Sequence, residues 1–157
     1  MSNWKTLELD REELVKFINA SVDKMSYKLG AKLPLHIDYD YLVGKEIDCS
    51  GYARVLMHAI SHGKIIMPDG SFNQNSWCRS QGLKRTDYDN ASLPDDRLRI
   101  AFIRPPDKNR HVWYIINGQT IESCGGYGPH RRSWNSSVLM KNVDDCYVVT
   151  DPMNKKK

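Results

Sequence analysis

Asn117-Gly118 lies between two strand-like runs, His111-Val-Trp-Tyr-Ile-Ile116 and Gln119-Thr-Ile-Glu-Ser123. A two-residue hairpin turn needs positive φ at both central positions, and Asn-Gly meets that need at little steric cost. Once the turn is placed, the register follows by counting outward from Ile116 facing Gln119. Position 113 then faces 122 and 111 faces 124, so His111, Trp113 and Glu122 share one sheet face.

The rest of the chain divides around this hairpin. Asp10-Arg-Glu-Glu13 reads as a capping box, with the Asp10 carboxylate accepting from an early N–H and Glu13 reaching back. Leu14, Phe17, Ile18, Val22 and Met25 follow at helical spacing, so the first helix is predicted over about 10–29, stopped by Gly30. Residues 31–47, with Pro34 and Gly44, read as a loop. A second helix starts at Cys49, carries Ala53, Val55, Leu56, Ala59 and Ile60 on its apolar face, and ends near Gly63. Residues 64–96 read as mostly irregular, with a turn at Pro68-Asp69-Gly70 and a short helix near 73–81. Strands are expected at Leu98–Ile103 and Cys146–Thr150 besides the hairpin pair. Helices first and an antiparallel sheet second make an α+β domain.

At 157 residues with 40% apolar and 27% charged residues, the chain suits one folded domain over 1–157 with a basic tail at about 152–157. No apolar run approaches the roughly 20 residues a spanning helix needs, so no membrane partner is expected. Lys and Arg number 9 against 10 acids in residues 1–78, and 14 against 9 in 79–157. That surplus is too dilute for a nucleic-acid stripe. The first ten residues lack an apolar stretch behind a basic start, so no secretory signal is read there.

Cys49, Cys78, Cys124 and Cys146 are separated by 29, 46 and 22 positions, with no Cys-x-x-Cys pair to suggest structural zinc. Free thiols are the expectation, and Cys49 differs from the others. Asp48-Cys49-Ser50-Gly51 opens a helix, where unpaired N–H groups and the helix dipole favour a thiolate. A nucleophile needs a base and an orienting group. His111 and, diagonally across the ladder, Glu122 supply both types. Cys78, Cys124 and Cys146 are expected to be inert. His58 and His62 have metal-ligand spacing but no evident third ligand, and are read as surface histidines; no metal or cofactor is expected. Arg131-Arg132 read as solvated or as partners for substrate carboxylates, and Trp77 and Trp134 as core or rim packing.

Together these residues resemble the NlpC-type cell-wall cysteine peptidases. The likeness rests on Asp48-Cys49-Ser50-Gly51-Tyr52 opening a helix, His111-Val112 opening a strand 62 positions later, a polar residue after the next turn, and Tyr27-Lys-Leu-Gly30-Ala31 upstream. It implies a papain-like fold and hydrolysis of an amide bond in peptidoglycan stem peptides, typically between γ-linked D-Glu and a diamino acid. It also implies Cys49 as nucleophile, His111 as base and Glu122 as third member. Tyr27, Asp48 and Ser50 would line the substrate cleft, with Asp48 receiving a free stem-peptide amine. Glu122 stands where the family most often has His, and Ile121-Glu-Ser-Cys-Gly-Gly126 resembles phage-type members. Tyr27 precedes Cys49 by 22 residues, longer than usual, and Trp113 replaces a common Gly, which would make the cleft bulkier.

Other readings share parts of the pattern. A transglutaminase-like protein has Cys, His and an acid in this order, with the acid usually farther past the His. A Cys-His amidase of another cell-wall class would cut a different bond. A non-catalytic binding module, such as a virion component, would keep the fold with an unreactive Cys49. If the substrate is cell wall, the expectation is delivery by lysis, a phage tail or a secretion machine, with an immunity protein as a possible partner.

Overall fold

The Asn117-Gly118 turn closes in the register read from the sequence, with φ of 55° and 75° at its two residues and Ile116, Ile115 and Tyr114 facing Gln119, Thr120 and Ile121. This is a computed structural model, and it describes residues 6–35, 38–91, 93–104, 110–133 and 143–150. Among these the strands are β1 (Lys84–Thr86), β2 (Arg99–Ile103), β3 (His111–Ile116), β4 (Gln119–Cys124), β5 (Gly128–His130) and β6 (Val143–Val148). They form one antiparallel sheet in the order β1-β6-β2-β3-β4-β5. The α-helices are α1 (Arg11–Ser21), α2 (Cys49–Ile60), α3 (Ser71–Ser80) and a single turn, α4 (Tyr88–Ala91).

Several boundaries depart from the sequence reading. Helix α1 stops at Ser21, eight residues short of the predicted end. Val22 is extended and Asp23 has φ 64°, while the Ser21 hydroxyl turns back to Phe17 O and meets Tyr52 Oη, each at 2.7 Å. Met25 is still buried, so its apolar spacing reports the core and not the helix. The Asp10 cap forms, accepting from Glu12 and Glu13 N–H at 2.8 and 3.2 Å. Glu13, expected to reach back, instead accepts from the Tyr39 hydroxyl of a 3₁₀ turn at Tyr39–Leu42, inside the stretch read as loop. Helix α2 ends at Ile60, with His62 and Gly63 both at positive φ. In residues 64–96 the short helix expected near 73–81 is α3, and β1 and α4 add order that was not predicted. The last strand lies three residues earlier at its start than the predicted Cys146. Strands β1 and β5 escaped prediction because each is three residues long and pairs with an edge the sequence does not mark.

Both sheet faces are covered. Leu14 and Phe17 of α1 and Tyr52, Leu56 and Ile60 of α2 pack with Phe102, Val112, Tyr114 and Tyr147. The alternate residues Ala101, Ile103, Trp113, Ile115 and Cys146 form a second cluster with Ala91. Burying both faces of a central strand explains why β2 and β3 read as unbroken apolar runs. Helix α2 is nearly surrounded: ten of its twelve residues are buried, so it is the spine of the main core. No helix among the described residues is long and apolar enough to cross a membrane. Trp134 and the basic tail at 152–157 lie outside the described residues.

Candidate active site

Cys49 is the first residue of α2, held there by the Asp48 cap, whose carboxylate accepts from the Gly51 N–H at 2.8 Å. The cap orients the first turn so that the Cys49 sulfur lies 3.9 Å from the carbonyl of Arg110, the residue before β3. Helix start and strand start therefore meet at His111.

The imidazole is wedged between an acid and a thiol. Its Nε2 is 2.8 Å from Glu122 Oε1, which leaves Nδ1 for the Cys49 sulfur. Burial alone would favour neutral imidazole, but hydrogen bonds to Cys49 and Glu122 outweigh it and push the His111 pKa up to about 9. Glu122 has a fully buried side chain, and burial works against its charge. The donors from His111 and Arg132 prevail and hold its carboxyl below the ordinary range.

The shared face of His111, Trp113 and Glu122 is borne out, but it is not the face on which the body of α2 packs. Val112, Tyr114 and Ile121 point into that core, and Trp113 into the second cluster. His111 nevertheless reaches Cys49 because it is the first residue of its strand, where the helix start comes round the end of the sheet. Trp113, expected to crowd the cleft, is fully buried behind the site. It meets His111 edge-on at 5.2 Å, and the Arg132 guanidinium covers its ring at 5.1 Å.

Arg132 is the member that sequence reasoning missed. Its Nε donates to Glu122 Oε2 at 2.8 Å and its Nη2 to Glu122 Oε1 at 3.1 Å, so it holds both oxygens of the buried carboxylate and shares Oε1 with His111. Arg131, half-buried, donates to the Thr120 and Ile116 carbonyls. Neither arginine is the solvated charge expected. Pairing of β5 with β4 carries them in, an arrangement without a strong sequence signal because Gly128-Pro129-His130 looks like a turn.

Tyr27 is half-buried close to Cys49 and Asp48. Burial, then the charges of Cys49, Asp48 and Cys124, raise its phenol. The backbone just before it packs closely on β5: a Cβ at Gly128, where φ is +74°, would lie 2.7 Å from Met25 O and 2.8 Å from Ser26 Cα.

Asp48 and Ser50, expected to line a substrate cleft, are buried on either side of the nucleophile and already engaged. Lys32 Nζ lies 2.7 Å from each Asp48 oxygen and 2.8 Å from Ser50 Oγ. The Gly30 N–H adds a further donor to Asp48 at 3.1 Å. An ammonium of the chain itself thus stands where the amine of a substrate was expected.

The remaining candidates lie apart. His58 is buried, not on the surface, while exposed His62 is past the helix end and pairs with Asp10 at 2.8 Å. Trp77 packs partly buried against the core, as expected. Among the described residues, no group of three or more His, Cys, Asp or Glu is placed to hold a metal. A cavity of about 370 Å³ lies toward the far end of α2, lined by Phe17, Tyr39, His58 and His62, and Cys49, His111 and Glu122 take no part in it.

No protein-family model and no curated protein matches the sequence. Among solved structures, the chain is similar to a crystal structure from Staphylococcus aureus subsp. aureus Mu50, described as similar to lipoprotein, NLP/P60 family. The TM-score is 0.58 at 14% identity, covering 96% of this chain and 46% of the other, so this chain spans about half that protein's length. The likeness defines the class of fold: a papain-like α+β domain shared with an NLP/P60 protein.

Proposed function

We propose that the chain is a cysteine peptidase that cleaves peptidoglycan stem peptides, at the bond between γ-D-Glu and a diamino acid. The observation that carries the reading is the single line of contacts from the Cys49 thiol at a helix start, through His111, to a buried Glu122 anchored by Arg132. A packing cysteine has no use for a charged, desolvated imidazole–carboxylate pair; a nucleophile does.

In the reaction, the Cys49 thiolate attacks the scissile carbonyl carbon, and His111 gives its proton to the departing amine as the C–N bond breaks. The acyl group is left as a thioester on Cys49. His111 then takes a proton from water, whose oxygen attacks the thioester and releases the carboxylate product and the thiolate. Glu122 holds the ring orientation and balances the imidazolium. With the Gly51 N–H taken by Asp48, the Cys49 and Ser50 N–H groups remain to face the oxyanion. Tyr27 forms a wall of the substrate cleft.

A substrate in the cell wall would be reached by lysis, through a phage tail or through a secretion machine, and a producing cell would then need an immunity protein against the enzyme. The test is digestion of purified peptidoglycan with mass spectrometry of the released muropeptides. Wild-type protein should produce new termini at γ-D-Glu, and Cys49→Ala should produce none. Equal digestion by both would refute the assignment.

A further inference from the structure

The Lys32 side chain lies against the first turn of α2, bonded to the residues on either side of Cys49, and it is built into place. Its stem crosses the first turn of α2 at Gly51. A Cβ there would meet Lys32 Cδ at 3.1 Å and Asp48 Oδ1 at 2.9 Å, so glycine at 51 opens the lane the lysine uses. Its segment is tied to the helix start by Asp48 N–H donating to Ala31 O at 3.0 Å and Gly30 N–H donating to Asp48.

An ammonium has three N–H groups. Here three acceptors stand at bonding distance: Asp48 Oδ1, Asp48 Oδ2 and Ser50 Oγ. The Lys32 side chain is 34% exposed and the Asp48 side chain 7%, so incoming groups meet the lysine before the acid. Asp69, at 4.0 Å, balances the remaining field from outside. The place is therefore closed to a second ammonium, which would find its carboxylate taken and a like charge beside it. It offers a carboxylate no spare donor either. An uncharged group meets neither penalty.

We propose that Lys32 is a specificity-determining residue, and that its occupation of the Asp48–Ser50 position selects substrates whose residue there is N-acylated over those that present a free amine. The proposal rests on the peptidase reading above. It makes the enzyme a cutter of peptides still joined through their amino end, such as stems attached to the wall, and a poor scavenger of released ones. Lys32→Met removes the charge while keeping the stem in its lane, and Asp48 retains two backbone donors, from Gly30 and Gly51.

The experiment compares two synthetic stem peptides containing the γ-D-Glu–diamino acid bond, one with a free amino end and one acetylated. Wild type should cleave the acetylated peptide with kcat/KM roughly tenfold or more above the free one. Lys32→Met, and independently Lys32→Gln, should erase or reverse that preference, while Lys32→Arg should keep it. Calorimetry on the Cys49→Ala background should show the same shift in Kd, without turnover. A wild-type preference for the free amine, or a preference untouched in both neutral variants, would overturn the role of Lys32 and leave the peptidase reading standing. Cleavage of neither peptide by any variant, together with inert peptidoglycan, would overturn both.

Discussion

Cys49 and Cys78 are both buried helical thiols, 8% and 0% exposed, yet their surroundings are opposite. Cys49 opens its helix and faces an imidazole that is backed by a carboxylate and then by a guanidinium. Cys78 lies late in α3, where burial, then nearby Cys146 and Asp145, push its thiol far up. Cys146 and Cys124 are raised to about 12 and about 11, again chiefly by burial. Cys49, Cys78 and Cys146 are all buried and Cys124 half-buried, so burial decides nothing alone. What differs is the partners at the sulfur and the end of the helix that carries it, the two factors that set thiol reactivity.

The sharpest way to break that contrast is substitution at the two sulfurs. Cys49→Ala should lower activity by about 10⁴-fold or more, since loss of the nucleophile leaves only binding and oxyanion contacts. Cys78→Ala should leave activity intact and cost about 1 kcal/mol of stability in denaturant melts, the scale of a small buried deletion. Iodoacetamide followed by peptide mapping should label Cys49 fastest, and the rate should fall when His111 is replaced by Ala. Equal labelling of Cys49 and Cys78 would erase the distinction.

Next in size is the carboxylate. Glu122→Gln should reduce kcat by roughly 10²–10³-fold, because the neutral amide no longer balances the imidazolium. It should also move the alkaline limb of the pH–rate profile. If His111 is the acid of the proposed reaction, that limb should fall in wild type as pH rises through about 9, where the imidazolium loses its proton. Without Glu122 one of the groups that raise His111 is gone, so the limb should shift to lower pH. An unmoved limb would mean that the contact is structural only.

Arg132→Ala tests the anchor behind the acid. A buried carboxylate stripped of one partner should cost about 2–3 kcal/mol of stability, with a smaller loss of activity, roughly tenfold. Lysine should restore little of either, since it cannot span both oxygens as the guanidinium does.

The smallest effect is the pH dependence of stability. His111 is raised above its unfolded value near 6.5, so its contribution is complete below that pH and lost as pH rises through about 9. Glu122 is lowered from 4.5, so its contribution is present above that pH and fades as pH falls. The melting temperature should therefore peak between roughly pH 5 and 7 and decline on both sides. A flat alkaline side in wild type, identical to that of a His111→Ala variant, would contradict the stated environment of His111.

The readable parts of this molecule were those set by local chemistry. Asn117-Gly118 carries its own turn, and from it the meeting of His111 with Glu122 follows by counting. Asp48 carries its cap, and with it the start of α2 at Cys49. Where a pattern served the core and not the backbone it misled: Val22 and Met25 kept helical spacing beyond the last turn of α1. The three-residue strands were silent, because so short a strand is ordered by the edge it joins.

Sequence by itself determined the class of fold, the hairpin register and the pairing of His111 with Glu122, since turns, caps and alternation act between near neighbours. Only the tertiary structure decided what surrounds them. Arg132 lies ten residues from Glu122 and Lys32 sixteen from Asp48, and both ion pairs depend on long-range placement, by β5 on the edge of β4 and by the 28–32 segment along the helix start. Charges attract at any sequence separation, and no local rule says which of twenty-three cations will be delivered to a buried acid. The fold makes that choice.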